Sequence, residues 1–140
     1  FGHWPEDLRV VHEALTRRGC QSIVWLAGDS TLDNKWFLFE DELRPPRRYP
    51  AVGGYADVLR PPEMLPDVNY VLNEQLQSNT AGRICAMGVA QASSTLRRRA
   101  EGALYAQDKF LQDRVSGDDV LVVSVGGNDI HGHWKGRFNL

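Results

Sequence analysis

Two short polar segments stand where chemistry could be done. Gly28-Asp29-Ser30-Thr31-Leu32-Asp33-Asn34 follows the apolar run Ser22–Ala27, and Gly126-Gly127-Asn128-Asp129 follows the run Val120–Val125. Between them they carry a serine hydroxyl, side-chain amides and several carboxylates. Taken singly, each also reads as an ordinary turn or helix cap, since Gly, Asn, Asp and Ser are favoured there. Taken together they say more. Each begins at a glycine that ends an apolar run, and a further run, Arg83–Met87, stops at Gly88. In an open parallel sheet the carboxyl ends of neighbouring strands form one edge, and ligands bind there. Glycines on that edge let backbone N–H groups approach a ligand closely. Gly28, Gly88 and Gly126 are therefore expected level with one another on one binding edge.

The elements that must hold this edge can be read from periodicity. Pro5–Arg18 predicts a helix: Pro5 suits the first position, Glu6 and Asp7 favour the positive end of the dipole, and Leu8, Val11 and Leu15 share a face. Gly19 suits its stop. The runs Ser22–Ala27, Arg83–Met87 and Val120–Val125 do not alternate, which predicts strands buried on both faces, as in a parallel sheet. Asp67–Gln77 reads as a short helix. Ser93 or Ser94 is placed to cap a long helix carrying Leu96, Ala100, Ala103, Leu104, Phe110 and Leu111, with Gly117 beyond its end. Glu40–Pro66 holds every proline except Pro5 and reads as an ordered, irregular insertion. Helix, strand, connection, strand, helix, strand is an α/β pattern with a parallel sheet.

The polar segments resemble two blocks of the SGNH, or GDSL-type, hydrolase family. Gly28-Asp29-Ser30 with Asp33-Asn34 is similar to the family's first block, and Gly126-Gly127-Asn128-Asp129 to its third. The resemblance spans roughly residues 22 to 131 and rests on about twenty positions. It implies a three-layer α/β/α sandwich with a flavodoxin-like parallel sheet, formed by residues 1–140 as a single domain. It implies an esterase or deacetylase acting on a small ester or acetylated substrate, without a cofactor. Ser30 would be the nucleophile. The Ser30 N–H, a glycine N–H from the second block and the Asn128 side-chain amide would form the oxyanion hole. Gly88 is the choice for that glycine, with Ala90 or Gln91 as alternatives. Asp29, Asp33, Asn34, Gly127 and Asp129 would support the two loops. Preorganised donors around the oxygen that gains charge lower the barrier of acyl transfer.

One block is missing. The family's Asp-x-x-His, which supplies base and orienting acid, has no counterpart: the histidines are His3, His12, His131 and His133. A serine is a poor nucleophile unless a neighbouring base takes its proton. The expected source is a longer parent protein, another chain, or a loop carrying His131 or His133; otherwise the domain is a non-catalytic binding or structural subunit. On the family pattern the sheet is also incomplete at the C-terminus, so a protein partner or a further segment is expected to cover its open edge.

Composition narrows the rest. The 140 residues include 16 basic and 18 acidic side chains, a net charge of -2 with no basic excess, so no nucleic-acid partner is expected. The run Arg97-Arg98-Arg99 reads as a solvated face. No apolar run approaches the ~20 residues of a membrane span. Asp129, His131 and His133 lack further ligands, so no metal is expected. A nucleotide site would need a Gly-x-Gly-x-x-Gly or Walker-type run, and there is none. Cys20 and Cys85 are expected as two free, mostly buried thiols, which leaves the redox compartment open.

Overall fold

In the computed structural model, which describes residues 3–33 and 47–130, the first element is helix α1, Pro5–Arg17. Pro5 opens it, Glu6 and Asp7 occupy its first turn, and Leu8, Ala14 and Leu15 are buried. Gly19, at φ 88°, turns the chain so that the Cys20 N–H reaches the Leu15 carbonyl at 3.1 Å. Strand β1, Ser22–Gly28, follows.

The described part of the insertion, from residue 47 on, is more regular than its prolines suggest. Strands β2, Tyr49–Pro50, and β3, Glu63–Met64, pair antiparallel around the short helix α2, Tyr55–Val58. Gly54 lets this unit sit on α1: a Cβ there would lie 2.9 Å from the Leu15 nitrogen. Helix α3, Val68–Thr80, is capped by Asp67, whose carboxylate accepts from the Tyr70 N–H at 2.8 Å. Strand β4 is Ile84–Gly88.

The long helix expected after Ser94 is two helices, α4, Leu96–Ala100, and α5, Ala106–Arg114. Gly102, at φ 81°, breaks the run between them. Its start is also corrected: Thr95, not Ser93 or Ser94, caps α4, and Ser94 is fully buried. Strand β5, Val120–Ser124, is the last strand of the described residues.

The strands form one parallel sheet in the order β4-β1-β5. Helices flank it, consistent with a three-layer α/β/α sandwich. The core gathers Leu8 and Leu15 of α1, Ile23, Trp25 and Ala27 of β1, Cys85 and Met87 of β4, Val89, and Phe110 and Leu111 of α5. Trp25, Met87 and Val89 are wholly buried, each contributing about 2 kcal/mol of apolar burial.

The expectation of strands buried on both faces holds for β1 and β4 and fails for β5. Val120, Leu121, Val122 and Val123 are 52%, 49%, 39% and 59% exposed. Successive strand residues face opposite sides, so both faces of β5 are open among the described residues. The cause is cover and not position, since β4 is an outer strand too: helix α3 packs on β4, whereas among the described residues no helix packs extensively on β5.

Candidate functional site

Three parallel strands with the first in the middle reproduce the start of the flavodoxin-like order. In such sheets ligands bind outside the carboxyl ends, at the crevice where the strand order reverses. Here that crevice lies between β1 and β5. Ser30 follows one strand, and Gly126–Asp129 follow the other.

The two segments are joined by short contacts. The register sets Gly28 opposite Ser124, and the Asp29 N–H donates to the Ser124 carbonyl at 2.9 Å. The Thr31 and Ser124 hydroxyls are 2.6 Å apart. Gly28 has φ 155°, and a Cβ there would collide with the Ser124 carbonyl, so only glycine fits this seam. A Cβ on Gly127 would sit 3.8 Å from Asp29 Oδ2. Asp29, 1% exposed, braces the turn: its Oδ1 accepts from the Thr31 N–H at 2.9 Å, and its carbonyl accepts from the Leu32 and Asp33 N–H groups.

Ser30 is half-buried at the head of this turn. Among the described residues neither its hydroxyl nor its N–H makes a hydrogen bond. Asp33 is buried beneath the turn, and Asn34 lies outside the described residues.

On the β5 side, Gly126 turns at φ 113° and its carbonyl accepts from the Asp129 and Ile130 N–H groups. The Asn128 Nδ2 donates to the Ser94 carbonyl at 2.8 Å, which fixes the amide and leaves its second N–H. Asp129 caps α4, accepting from the Leu96 and Arg97 N–H groups at 2.8 and 2.9 Å. Those two bonds, Arg97 first, hold its carboxyl below the usual range. His131 and His133 lie outside the described residues.

The expectation that Gly88 stands level with Gly28 and Gly126 is corrected. The register sets Gly88 opposite Leu26, two residues short of the level of Gly28, and Gly126 lies beyond Ser124. The three glycines are staggered, not level. The Val89 N–H donates to the Leu26 carbonyl at 2.9 Å, so by strand alternation the Gly88 N–H is turned away from β1. At the level of Gly28, the Gln91 N–H is already committed to the Gly28 carbonyl at 3.0 Å.

Compared with protein-family models, curated proteins and solved structures, the chain matches none.

The structure adds residues that sequence reasoning passed over. The Gly28 carbonyl, one peptide before Asp29-Ser30, accepts from the Gln91 N–H, from Ser94 Oγ at 2.9 Å and from the Arg99 guanidinium at 3.2 Å. Arg99 also donates to Ser94 Oγ and to Asp108, both at 2.9 Å. Its side chain is 13% exposed, so the reading of Arg97-Arg98-Arg99 as a solvated face fails at its third member. The signal available was Tyr105, whose ring lies 5.0 Å from the Arg99 guanidinium, but an aromatic six residues on does not by itself single out one arginine of three.

Proposed function

We propose that the chain is an SGNH-type serine hydrolase domain acting on a carboxylic ester or an acetyl group. One observation carries the reading: the Ser30 turn and the Asn128 loop meet at the carboxyl edge of adjacent parallel strands. They are joined there by the Asp29–Ser124 and Thr31–Ser124 hydrogen bonds. The Ser30 N–H, which makes no hydrogen bond among the described residues, and the second N–H of the held Asn128 amide support it further.

In this reading Ser30 Oγ attacks the acyl carbon and gives its proton to a histidine base. The carbonyl oxygen takes the charge and is met by the Ser30 N–H and the Asn128 amide. The intermediate collapses, the base passes its proton to the departing alcohol, and water then releases the acyl group from Ser30. The base comes from His131 or His133, which follow Asn128 in sequence, from a further segment of a longer parent protein, or from another chain. Gly88 is left out of this reading, because it stops two residues short of the level of Gly28 and its N–H is turned away from β1.

A fluorophosphonate probe tests this directly. Labelling at Ser30, absent in Ser30→Ala, together with hydrolysis of a short aryl ester, is the expected result. A folded chain that neither labels nor hydrolyses the ester favours the second reading, a non-catalytic binding or structural subunit. The open faces of β5 and the absent Asp-x-x-His are the observations on its side.

A further inference from the structure

Helices α1 and α5 meet over β1, where His12 of α1 stacks on Trp25 at 5.9 Å and meets the edge of Phe110 of α5 at 6.3 Å. An open groove of about 530 Å³ lies there, lined by Arg9, His12, Glu13, Thr16, Arg17 and Arg114. The five α1 residues recur at steps of three and four or less, so they form one stripe of the helix. Arg114 ends α5 across from it and lies 5.6 Å over the Phe110 ring. Three guanidiniums thus face one groove against a single carboxylate, in a chain whose net charge is -2. Among the described residues none of the three makes an ion pair; the pairs run from Arg18 to Asp57, Arg97 to Glu101 and Arg99 to Asp108 instead. Glu13 stands one turn from both Arg9 and Arg17, yet Arg17 Nε donates to its backbone carbonyl, at 3.3 Å. Asp57 lies within the field of Arg17 but is taken by Arg18, at 2.6 Å. Arg17 and Arg114 suit the last turns of their helices; Arg9, in mid-helix, has no such reason to be there. Like charges gathered in a concave site without counter-charges raise the local potential and attract anions.

We propose that the groove formed by Arg9, Arg17 and Arg114 binds a small molecule carrying a diphosphate group.

Guanidinium forks meet phosphoryl oxygens two at a time and keep their charge at every working pH. Arg9 and Arg17 are eight residues apart, about 12 Å along the helix, a span that two linked phosphoryl groups bridge better than one. Arg114 closes the site from α5. All three arginines are exposed, so their side chains can turn onto a ligand without disturbing the core. His12, half-buried at the floor, reports on the site. Burial and then Arg114 lower its pKa, while Asp119 and Glu13 work to raise it. An anion among the arginines offsets Arg114 and moves that value up. The groove includes no residue of the Ser30 or Asn128 loops, so the inference stands apart from the proposed hydrolase.

The test is titration of the purified full chain with inorganic pyrophosphate at constant ionic strength, followed by calorimetry and by the ring-proton NMR signal of His12, identified by its loss in His12→Gln. The expected result is saturable binding that shifts the His12 signal and raises its pKa. Inorganic phosphate, with one phosphoryl group, should bind several-fold more weakly; equal affinity would overturn the diphosphate assignment. Arg9→Gln and Arg114→Gln, both at exposed positions, should keep the fold and each weaken pyrophosphate binding about tenfold. Binding that does not saturate, an affinity unchanged in both variants, or a His12 signal that does not respond would overturn the proposal. So would binding to phosphatidic acid vesicles with none to pyrophosphate, which would make the groove a membrane contact.

Discussion

The two outer strands of the sheet are treated in opposite ways. On β4 the free edge is closed by side chains. Asn73 Oδ1 accepts from the Ala86 N–H and its Nδ2 donates to the Ala86 carbonyl, both at 2.9 Å, as a neighbouring strand would. Tyr55 donates to the same carbonyl at 3.1 Å, and Asn69 donates to the Tyr55 oxygen at 3.1 Å. Burial drives the Tyr55 phenol well above its ordinary pKa, so it stays a donor. All three side chains are buried. Among the described residues β5 has no such device: Val-Leu-Val-Val runs exposed on both faces, with no charge or proline within it. Natural proteins blunt exposed edges with those features. The closed edge is polar and paired; the other, among the described residues, is apolar and open.

Substitutions can break or sharpen this contrast. The largest effect is expected at the seam that carries β5. Gly28→Ala combines overpacking against Ser124 with backbone strain and should cost roughly 4 kcal/mol in urea unfolding. An effect under about 1 kcal/mol would mean that the β1–β5 seam is not as close as described. Next is the closed edge. Asn73→Ala strands the buried Ala86 N–H, while the Ala86 carbonyl keeps its bond from Tyr55, and should cost about 2 kcal/mol, while Asn73→Asp, which sets a buried charge against that carbonyl, should recover little of it.

The open edge should behave otherwise. Val122→Lys is expected to change unfolding free energy by less than about 0.5 kcal/mol, as surface changes do, and to lower self-association in light scattering. A large stability loss would show Val122 to be covered.

The smallest effect is a pH dependence under the covered face of β1. His12 stacks on Trp25 with centroids 5.9 Å apart. Burial first, then Arg114, lowers its pKa from 6.5. The fold therefore favours neutral His12. That stability is present above pH 6.5 and is lost as pH falls through the lowered value. Melting temperature followed from pH 7 to 5 should fall less steeply in His12→Gln than in the parent chain.

Much of the fold was legible because it follows from local patterns. The helix at Pro5, the apolar runs of β1 and β4 and the Asp67 helix are set by residues close in sequence. The break at Gly102 was less so, because Ala103 and Leu104 continue the helical apolar spacing across it. The exposure of β5 was not legible: a run of valines reads the same whether or not something lies against it. At the site, the joining of the turn after β1 to the end of β5 followed from both strands ending in polar turns. The level of Gly88 did not, because register depends on the pairing partner and not on where a run of apolar residues stops. Asp119 was missed for a similar reason. Burial works to raise its carboxyl, but bonds from the Trp25 indole and the Ile23 and Ser116 N–H groups hold it below the usual range. An aspartate in a polar turn gives no hint that it pins a distant tryptophan.

The Gly28 carbonyl carries a consequence for inheritance. Three donors from residues 91 to 99 converge on one oxygen, and Asp108 steadies the last of them. A change at Ser94, Arg99 or Asp108 would be felt as a rotation of the peptide that aims Ser30, far away in sequence. Segments bound in this way do not drift independently. In any lineage of this chain, the stretch after β4 and the turn after β1 should change in step or not at all.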